Sequence, residues 1–347
     1  MSATEYSLLD RWFHRLTLAG NAAPSALFDV EKTLFGKDLP DVTSGHHVFV
    51  AGLARAGTTL LMRTLYETGA FASLTYRDMP LVTAPNLWQR LSGRAQKEGE
   101  EAERAHGDGM LVDFDSPEAL EEVFWRSQVR PSYIGGEALR PVTVSGETIS
   151  DFRVYVALIL RRYGRQRYLA KNNNAILRLP VIAAAFPEAT ILVPFRDPVA
   201  QARSLLTQHR RFLETHAADR FSRDYMGWLA HHEFGSDHRP FVFSATAPPP
   251  PTDEAESLDY WLARWNEAYR FLLSQAEGLP GRVRFFSYER FTDDPGGVRD
   301  RLFDLLGLLA PSQPMEVRKP APVVVDGSPP HLPAAQATYA ELNDRAL

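Results

Sequence analysis

Residues 46–68, HHVFVAGLARAGTTLLMRTLYET, constrain the fold more than any other stretch of the chain. Val48, Phe49, Val50 and Ala51 form a short apolar run that reads as a buried strand. Residues 52–59, GLARAGTT, turn the chain between two glycines, after which Leu60, Leu61, Thr64, Leu65 and Thr68 recur at helical spacing. A strand, a glycine-bounded loop and a helix N-terminus together surround an anion with backbone N–H groups. The spacing G-x-x-x-x-G-T-T is that of a P-loop, except that Thr58 stands where the lysine belongs. That lysine normally reaches the β- and γ-phosphates of a nucleoside triphosphate. Here the cation lies inside the loop, as Arg55. The stretch predicts an anion site not built for ATP or GTP; the bland alternative is that Gly52 and Gly57 only permit a tight turn.

The same strand–loop–helix order recurs near residues 168, 191 and 283. It predicts an α/β class: a P-loop-like three-layer fold with a central, mostly parallel sheet flanked by helices. Ligands gather at the carboxyl ends of strands in such sheets. The charged residues expected there are Arg55, Lys171, Arg196 and Glu289, three of them cations. At 347 residues the chain can bury a full core. Its expected parts are a helical segment over 1–45, the α/β domain over 46–310, and a loop-rich tail over 311–347. Insertions into the domain are expected at about 92–150 and 210–255.

Around that core, residues 5–19 place Leu8, Leu9, Trp12, Phe13 and Leu16 on one helical face. We expect that face to dock on the domain; a peripheral contact with a membrane surface is the alternative. A second short helix is expected over 23–35, with Ser25 near its start. Residues 71–88 read as a strand end and a loop, and the charged run 92–109 as a solvated loop that could act as a lid. Ser116, Pro117 and Glu118 predict the opening of a helix carrying Leu120, Val123, Phe124 and Val129. Residues 131–150 read as turns. Further helices are expected over 152–163, 175–186, 199–209, 258–273 and 298–308, with Pro180 kinking the second or marking its first turn. Periodicity is lost between 216 and 254, and the chain from 318 onward reads as loop.

Composition removes several function classes. A net charge of −5 argues against general nucleic-acid affinity. No cysteine is present, which excludes thiolate catalysis and Cys-ligated zinc. His231, His232 and His238 are close in sequence, but no acidic spacing supports a metal site. No apolar run of about 18 residues exists, and residues 1–16 lack the pattern of a signal peptide. A cytoplasmic enzyme is expected.

Two motifs resemble those of sulfotransferases that use 3′-phosphoadenosine 5′-phosphosulfate (PAPS). Arg55-Ala56-Gly57-Thr58-Thr59 is similar to their 5′-phosphosulfate loop. Residues 191–205, ILVPFRDPVAQARSL, resemble their 3′-phosphate motif, a strand followed by Arg-Asp-Pro and a helical serine. The resemblance implies Arg196 and Ser204 at the 3′-phosphate, and Arg55 with residues 56–59 at the phosphosulfate. YLAKNNNAILRLPVIAAAFPEAT resembles the preceding segment in tyrosylprotein and carbohydrate sulfotransferases, which implies Lys171 at the bridging or sulfuryl oxygens. FFSYERFTDDPGGVRDRLFDLLGL resembles a late strand–helix unit and adds Tyr288 to the nucleotide site.

The implied chemistry is in-line sulfuryl transfer to an acceptor, with adenosine 3′,5′-bisphosphate leaving and no metal required. Asp78, after Arg77, is the nearest equivalent of the acidic base of the tyrosylprotein branch; its alternative reading is a salt-bridged pair with Arg77. Asp115, Glu118 and His106 are fallback bases, and Arg318-Lys319 only partly matches the family's late phosphate-binding motif. The polar loops and Trp88, Trp125 and Trp228 favour a glycan or glycolipid acceptor, with a tyrosyl peptide next. Two other readings stay open: a P-loop kinase or NTPase using ATP and Mg²⁺, and an inactive nucleotide-binding module of the same fold.

Overall fold

Five parallel strands form the sheet on which the chain is built, in the order β2 (Phe71–Ala72), β5 (Arg167–Lys171), β1 (Val48–Val50), β6 (Thr190–Phe195) and β7 (Val283–Ser287). The computed structural model describes residues 7–92, 102–103, 111–112, 117–129, 134–309 and 327–347. In chain order the first elements are α1 (Leu8–Leu18), α2 (Ala22–Phe35), β1 (Val48–Val50), α3 (Thr58–Tyr66), β2 (Phe71–Ala72) and α4 (Pro85–Ser92). A two-residue antiparallel pair follows, β3 (Ala102–Glu103) and β4 (Leu111–Val112), and then α5 (Glu122–Val129) and α6 (Gly146–Tyr163). The sheet resumes with β5 (Arg167–Lys171), α7 (Leu179–Ala185), β6 (Thr190–Phe195), α8 (Pro198–Ala218) and α9 (Arg220–Trp228). The chain continues through α10 (Leu258–Gly278), β7 (Val283–Ser287), α11 (Tyr288–Asp293), α12 (Pro295–Leu306) and α13 (Leu332–Asp344).

β1 lies at the centre, with Val48 opposite Leu169 of β5 and Thr190 of β6. Both faces of these strands are buried, which is why they read as unbroken apolar runs and not as alternating ones. One face carries a large aromatic core, with Phe49, Phe124, Phe152, Tyr155 and Phe186 in mutual ring contact. The other packs Val48, Val50 and Leu192 against Leu61, Leu65, Leu302 and Phe303 of α3 and α12. The expected α/β architecture with helices on both faces is the one observed.

Several elements differ from expectation. α1 forms, but Leu8, Leu9, Trp12 and Leu16 face outward, from 57% exposed at Leu16 to 87% at Leu8. The helix docks instead through His14, Thr17 and Leu18, while Arg11 reaches Asp219 at 3.4 Å and lies over the Phe221 ring. It packs on α2 and on α9, the latter an element inside the stretch where periodicity had vanished. Ser25 sits within α2, whose N-cap is Asn21. Pro117 does not open a helix: it bridges to Thr75, and α5 begins at Glu122. α6 begins earlier than expected because Ser145 caps it by accepting from the Thr148 N–H at 3.1 Å. Pro180 lies in the first turn of α7. The region expected as a loop-rich tail holds α13, which buries Ala335, Thr338 and Leu342. Of residues 92–109, only Ser92, Ala102 and Glu103 are among the described residues, so the lid expectation lies outside them, as do His106, Asp115 and Arg318-Lys319. Among the described residues no helix is long and apolar enough to cross a membrane.

Candidate active site

The carboxyl ends of β1, β5, β6 and β7 bring together the residues that the two motifs single out. The loop after β1 is pinned at both ends. Ala51 donates to the Leu192 carbonyl at 2.9 Å, and Gln201 of α8 donates to the Ala54 carbonyl at 2.9 Å. Gln201 is in turn fixed by Trp265, whose Nε1 donates to it at 2.9 Å. Within the loop, Arg55 (φ 67°) and Gly57 (φ 85°) both occupy the left-handed region. Such a conformation in a non-glycine residue costs about 1–2 kcal/mol and is retained where the surroundings over-determine it. The turn delivers the chain into α3 at Thr58, aiming the helix N-terminus at the edge of the sheet. Ala56 is buried, Thr58 is 5% exposed, and Thr59 is half-buried.

Arg55 points across to α8, where its Nε donates to the Ser204 hydroxyl at 2.9 Å. The two residues are 149 positions apart in sequence, and this bond joins the two motifs into one site. Arg196, at the end of β6, lies over the Tyr288 ring with its guanidinium carbon 5.0 Å from the centroid. Its Nε is 3.8 Å from Glu289, which also accepts from the Asp197 N–H at 3.0 Å and the Tyr339 hydroxyl at 3.2 Å. Burial raises the Glu289 pKa, and these contacts with Asp197, Tyr339 and Arg196 oppose the rise. Tyr288 covers the loop from the other side: a Cβ on Gly57 would lie 2.6 Å from its Cδ2.

That contact yields a prediction. Gly57→Ala combines a left-handed backbone with displacement of the Tyr288 ring, whereas Gly69→Ala (φ 70°) meets nothing within 4 Å. Both lose the backbone cost of about 1–2 kcal/mol; Gly57→Ala loses visibly more in thermal unfolding. Equal melting temperatures for the two variants would mean that Tyr288 yields freely.

Lys171 ends β5, and its Nζ meets Glu118 at 3.0 Å with both side chains nearly buried. The Tyr76 hydroxyl also donates to Glu118, at 2.9 Å. Glu118 is available for this because its segment is not helical. Beneath Lys171, Arg178 forms a bidentate pair with Glu122 at 3.0 and 2.7 Å, and Asn172 also donates to Glu122.

Asp78 does not sit where a base could work. It is fully buried, caps a single 3₁₀ turn through the Thr75 N–H at 3.0 Å, and accepts from the Tyr163 hydroxyl at 2.5 Å. Burial raises its pKa, against the pull of Tyr163, Thr75 and Arg162. Its partner is Arg162 at 3.9 Å, not only the neighbouring Arg77 that the sequence suggested. Trp125 is likewise core, bonded to Glu121 at 2.7 Å and stacked under Arg178. Trp88 and Trp228 remain half-buried. Among the described residues no group of His, Asp or Glu could hold a metal ion.

Sequence reasoning missed Gln201 and the Arg178–Glu122 pair, whose partners are distant in the chain and carry no local pattern. Glu289 was noticed as a strand-end charge, but its hold on Arg196 depends on α13.

Residues 47–242, more than half of the chain, match the model of the family described as "Sulfotransferase family". Among solved structures, the sulfotransferase STF1 of Mycobacterium tuberculosis is similar at 15% identity and a TM-score of 0.51, covering 90% of this chain and 80% of that one. The sulfotransferase STF9 of Mycobacterium avium is similar at 13% identity and a TM-score of 0.49, covering 90% and 76%. A search of curated protein sequences finds no match. The matched residues 47–242 contain the β1 loop, Lys171, Arg196 and Ser204, and with them on one sheet edge the chain belongs to the sulfotransferase family.

Proposed function

We propose that the protein transfers a sulfuryl group from PAPS to an acceptor hydroxyl. The observation that carries this reading is the Arg55–Ser204 bond at 2.9 Å, which makes one anion site of the two motifs. Bound there, PAPS supplies an activated S–O bond whose cleavage releases a phosphate. Arg55 and the N–H groups of Gly57, Thr58 and Thr59 hold the 5′-phosphosulfate at the N-terminus of α3. Arg196 and Ser204 hold the 3′-phosphate, with Glu289 and the Tyr288 ring fixing the guanidinium plane. Lys171 neutralises charge that develops on the oxygen between sulfur and phosphorus. Little covalent work falls to the protein; it positions the groups and stabilises charge.

The acceptor in this proposal is a glycan or glycolipid. Trp228, half-buried on α9, supports it by offering an aromatic face.

Calorimetric titration tests the donor site. Wild type binds adenosine 3′,5′-bisphosphate in preference to AMP, ADP and ATP–Mg²⁺, and Arg196→Ala weakens that binding by about 10–100-fold, the loss of one or two charge-assisted bonds. Preference for ATP–Mg²⁺ would promote the kinase reading, and binding without turnover on any acceptor the inactive module.

A further inference from the structure

The loop between α9 and the following 3₁₀ turn is fastened to the turn that follows Lys171. Asn174 donates to the Ala230 carbonyl at 3.0 Å, and Asn173 donates to Glu233 Oε1 at 2.8 Å. The other oxygen of Glu233 faces Nδ1 of His231 at 3.5 Å. Ala230 takes a left-handed backbone, φ 57°, immediately before His231. The His231 side chain keeps about a quarter of its surface open, 25%, while Glu233 keeps 8%. Among the described residues Nε2 of His231 has no bonded partner. A carboxylate at Nδ1 places the proton there and leaves Nε2 as a lone-pair acceptor.

The geometry points to His231 as the general base of sulfuryl transfer, with Glu233 and Asn173 orienting its ring. The inference rests on the donor reading above and adds the group that accepts the acceptor's proton. In the step, the acceptor O–H bond breaks and its proton passes to His231 Nε2. The oxygen forms a bond to sulfur, the bond from sulfur to the bridging phosphate oxygen breaks, and adenosine 3′,5′-bisphosphate leaves with that electron pair. Of the carboxylates suggested by the sequence, the two among the described residues, Asp78 and Glu118, do not suit the role. Asp78 is fully buried, and Glu118 is engaged by Lys171, Tyr76 and the Ala119 N–H, at 3.0, 2.9 and 2.9 Å.

The charges facing His231 are Glu233 on its own loop, Lys171 on β5, Glu118 before α5 and the adjacent His232. Burial lowers the His231 pKa, but the charge and hydrogen bond of Glu233 outweigh burial, and the net shift is upward from 6.5. Only the neutral ring accepts a proton, so turnover rises with pH through an acid limb above the ordinary histidine value.

The test measures transfer from PAPS to 4-nitrophenyl β-glucoside and to water between pH 5 and 9, beside calorimetry with adenosine 3′,5′-bisphosphate. His231→Gln keeps bisphosphate affinity within about threefold, lowers kcat by about 10²-fold and abolishes the acid limb. Glu233→Gln keeps the limb but moves it to lower pH, because the attraction that raised the ring's pKa is gone; a merely structural role would not move it. Unchanged kcat in His231→Gln, or a limb that stays put in Glu233→Gln, overturns the assignment. Wild type that binds the bisphosphate yet transfers to neither probe also overturns it, while the donor site stands. Failure of wild type to bind the bisphosphate overturns the donor reading itself, and the assignment with it.

Discussion

Arg55→Ala lowers sulfuryl-transfer turnover by about 10²–10³-fold, the range seen when one preorganised charge-stabilising donor is removed. The effect is large because Arg55 is held in place before reaction: its backbone is left-handed and its Nε is bonded to Ser204 at 2.9 Å. Such a group reorganises little as charge develops. Arg55→Lys keeps the charge but loses the planar Nε–H aimed at Ser204, and falls between alanine and wild type. Melting temperature changes little in either variant, since alanine and lysine meet the same left-handed backbone as arginine. Turnover within threefold of wild type for Arg55→Ala would reduce the loop to a turn.

The second large effect is on stability. Arg178 is 0% exposed and Glu122 is 1% exposed, and each satisfies the other's charge. Removing one partner leaves a buried charge uncompensated, at a cost of about 3–5 kcal/mol. Glu122→Leu and Arg178→Met each lower the urea midpoint sharply, or fail to accumulate as soluble protein. The double variant Glu122→Leu/Arg178→Met recovers part of the loss, because an apolar pair of similar volume needs no solvation. A single variant within about 1 kcal/mol of wild type would show that water reaches the site. Because Asn172 also donates to Glu122, Glu122→Leu in addition frees the residue next to Lys171 and loses turnover.

Patterns that are local in sequence predicted well. β1, β5, β6 and β7 announced themselves as short apolar runs, and the strand ends drew Arg55, Lys171, Arg196 and Tyr288 to one edge. The failures share a cause: the side of an element that is buried depends on a partner chosen elsewhere. α1 presents its richest apolar face to solvent because α2 and α9 take the opposite one, with Asp219 at the N-cap of α9 and Tyr225 within it. Ser116-Pro117 has the composition of a helix start, yet Pro117 is drawn into a bridge with Thr75. Asp78 looked functional beside Arg77, but Tyr163 and Arg162 of α6 bury it. His231 was weighed only as a metal ligand, since the Asn173–Glu233 contact that reveals another use spans 60 residues.

The order of strands also dictates when this protein can shape the loop after β1. β1 is synthesised early, but both of its neighbours, β5 and β6, follow well over a hundred residues later, and β2 pairs with β5. A nascent chain therefore carries an exposed apolar ribbon and an unshaped glycine turn until most of the domain has emerged. Tyr339, which steadies the carboxylate beside Arg196, comes later still. Contacts of such long range fold slowly and leave intermediates open to aggregation. On the ribosome, anion affinity should therefore appear abruptly, near the end of synthesis, and not grow with chain length.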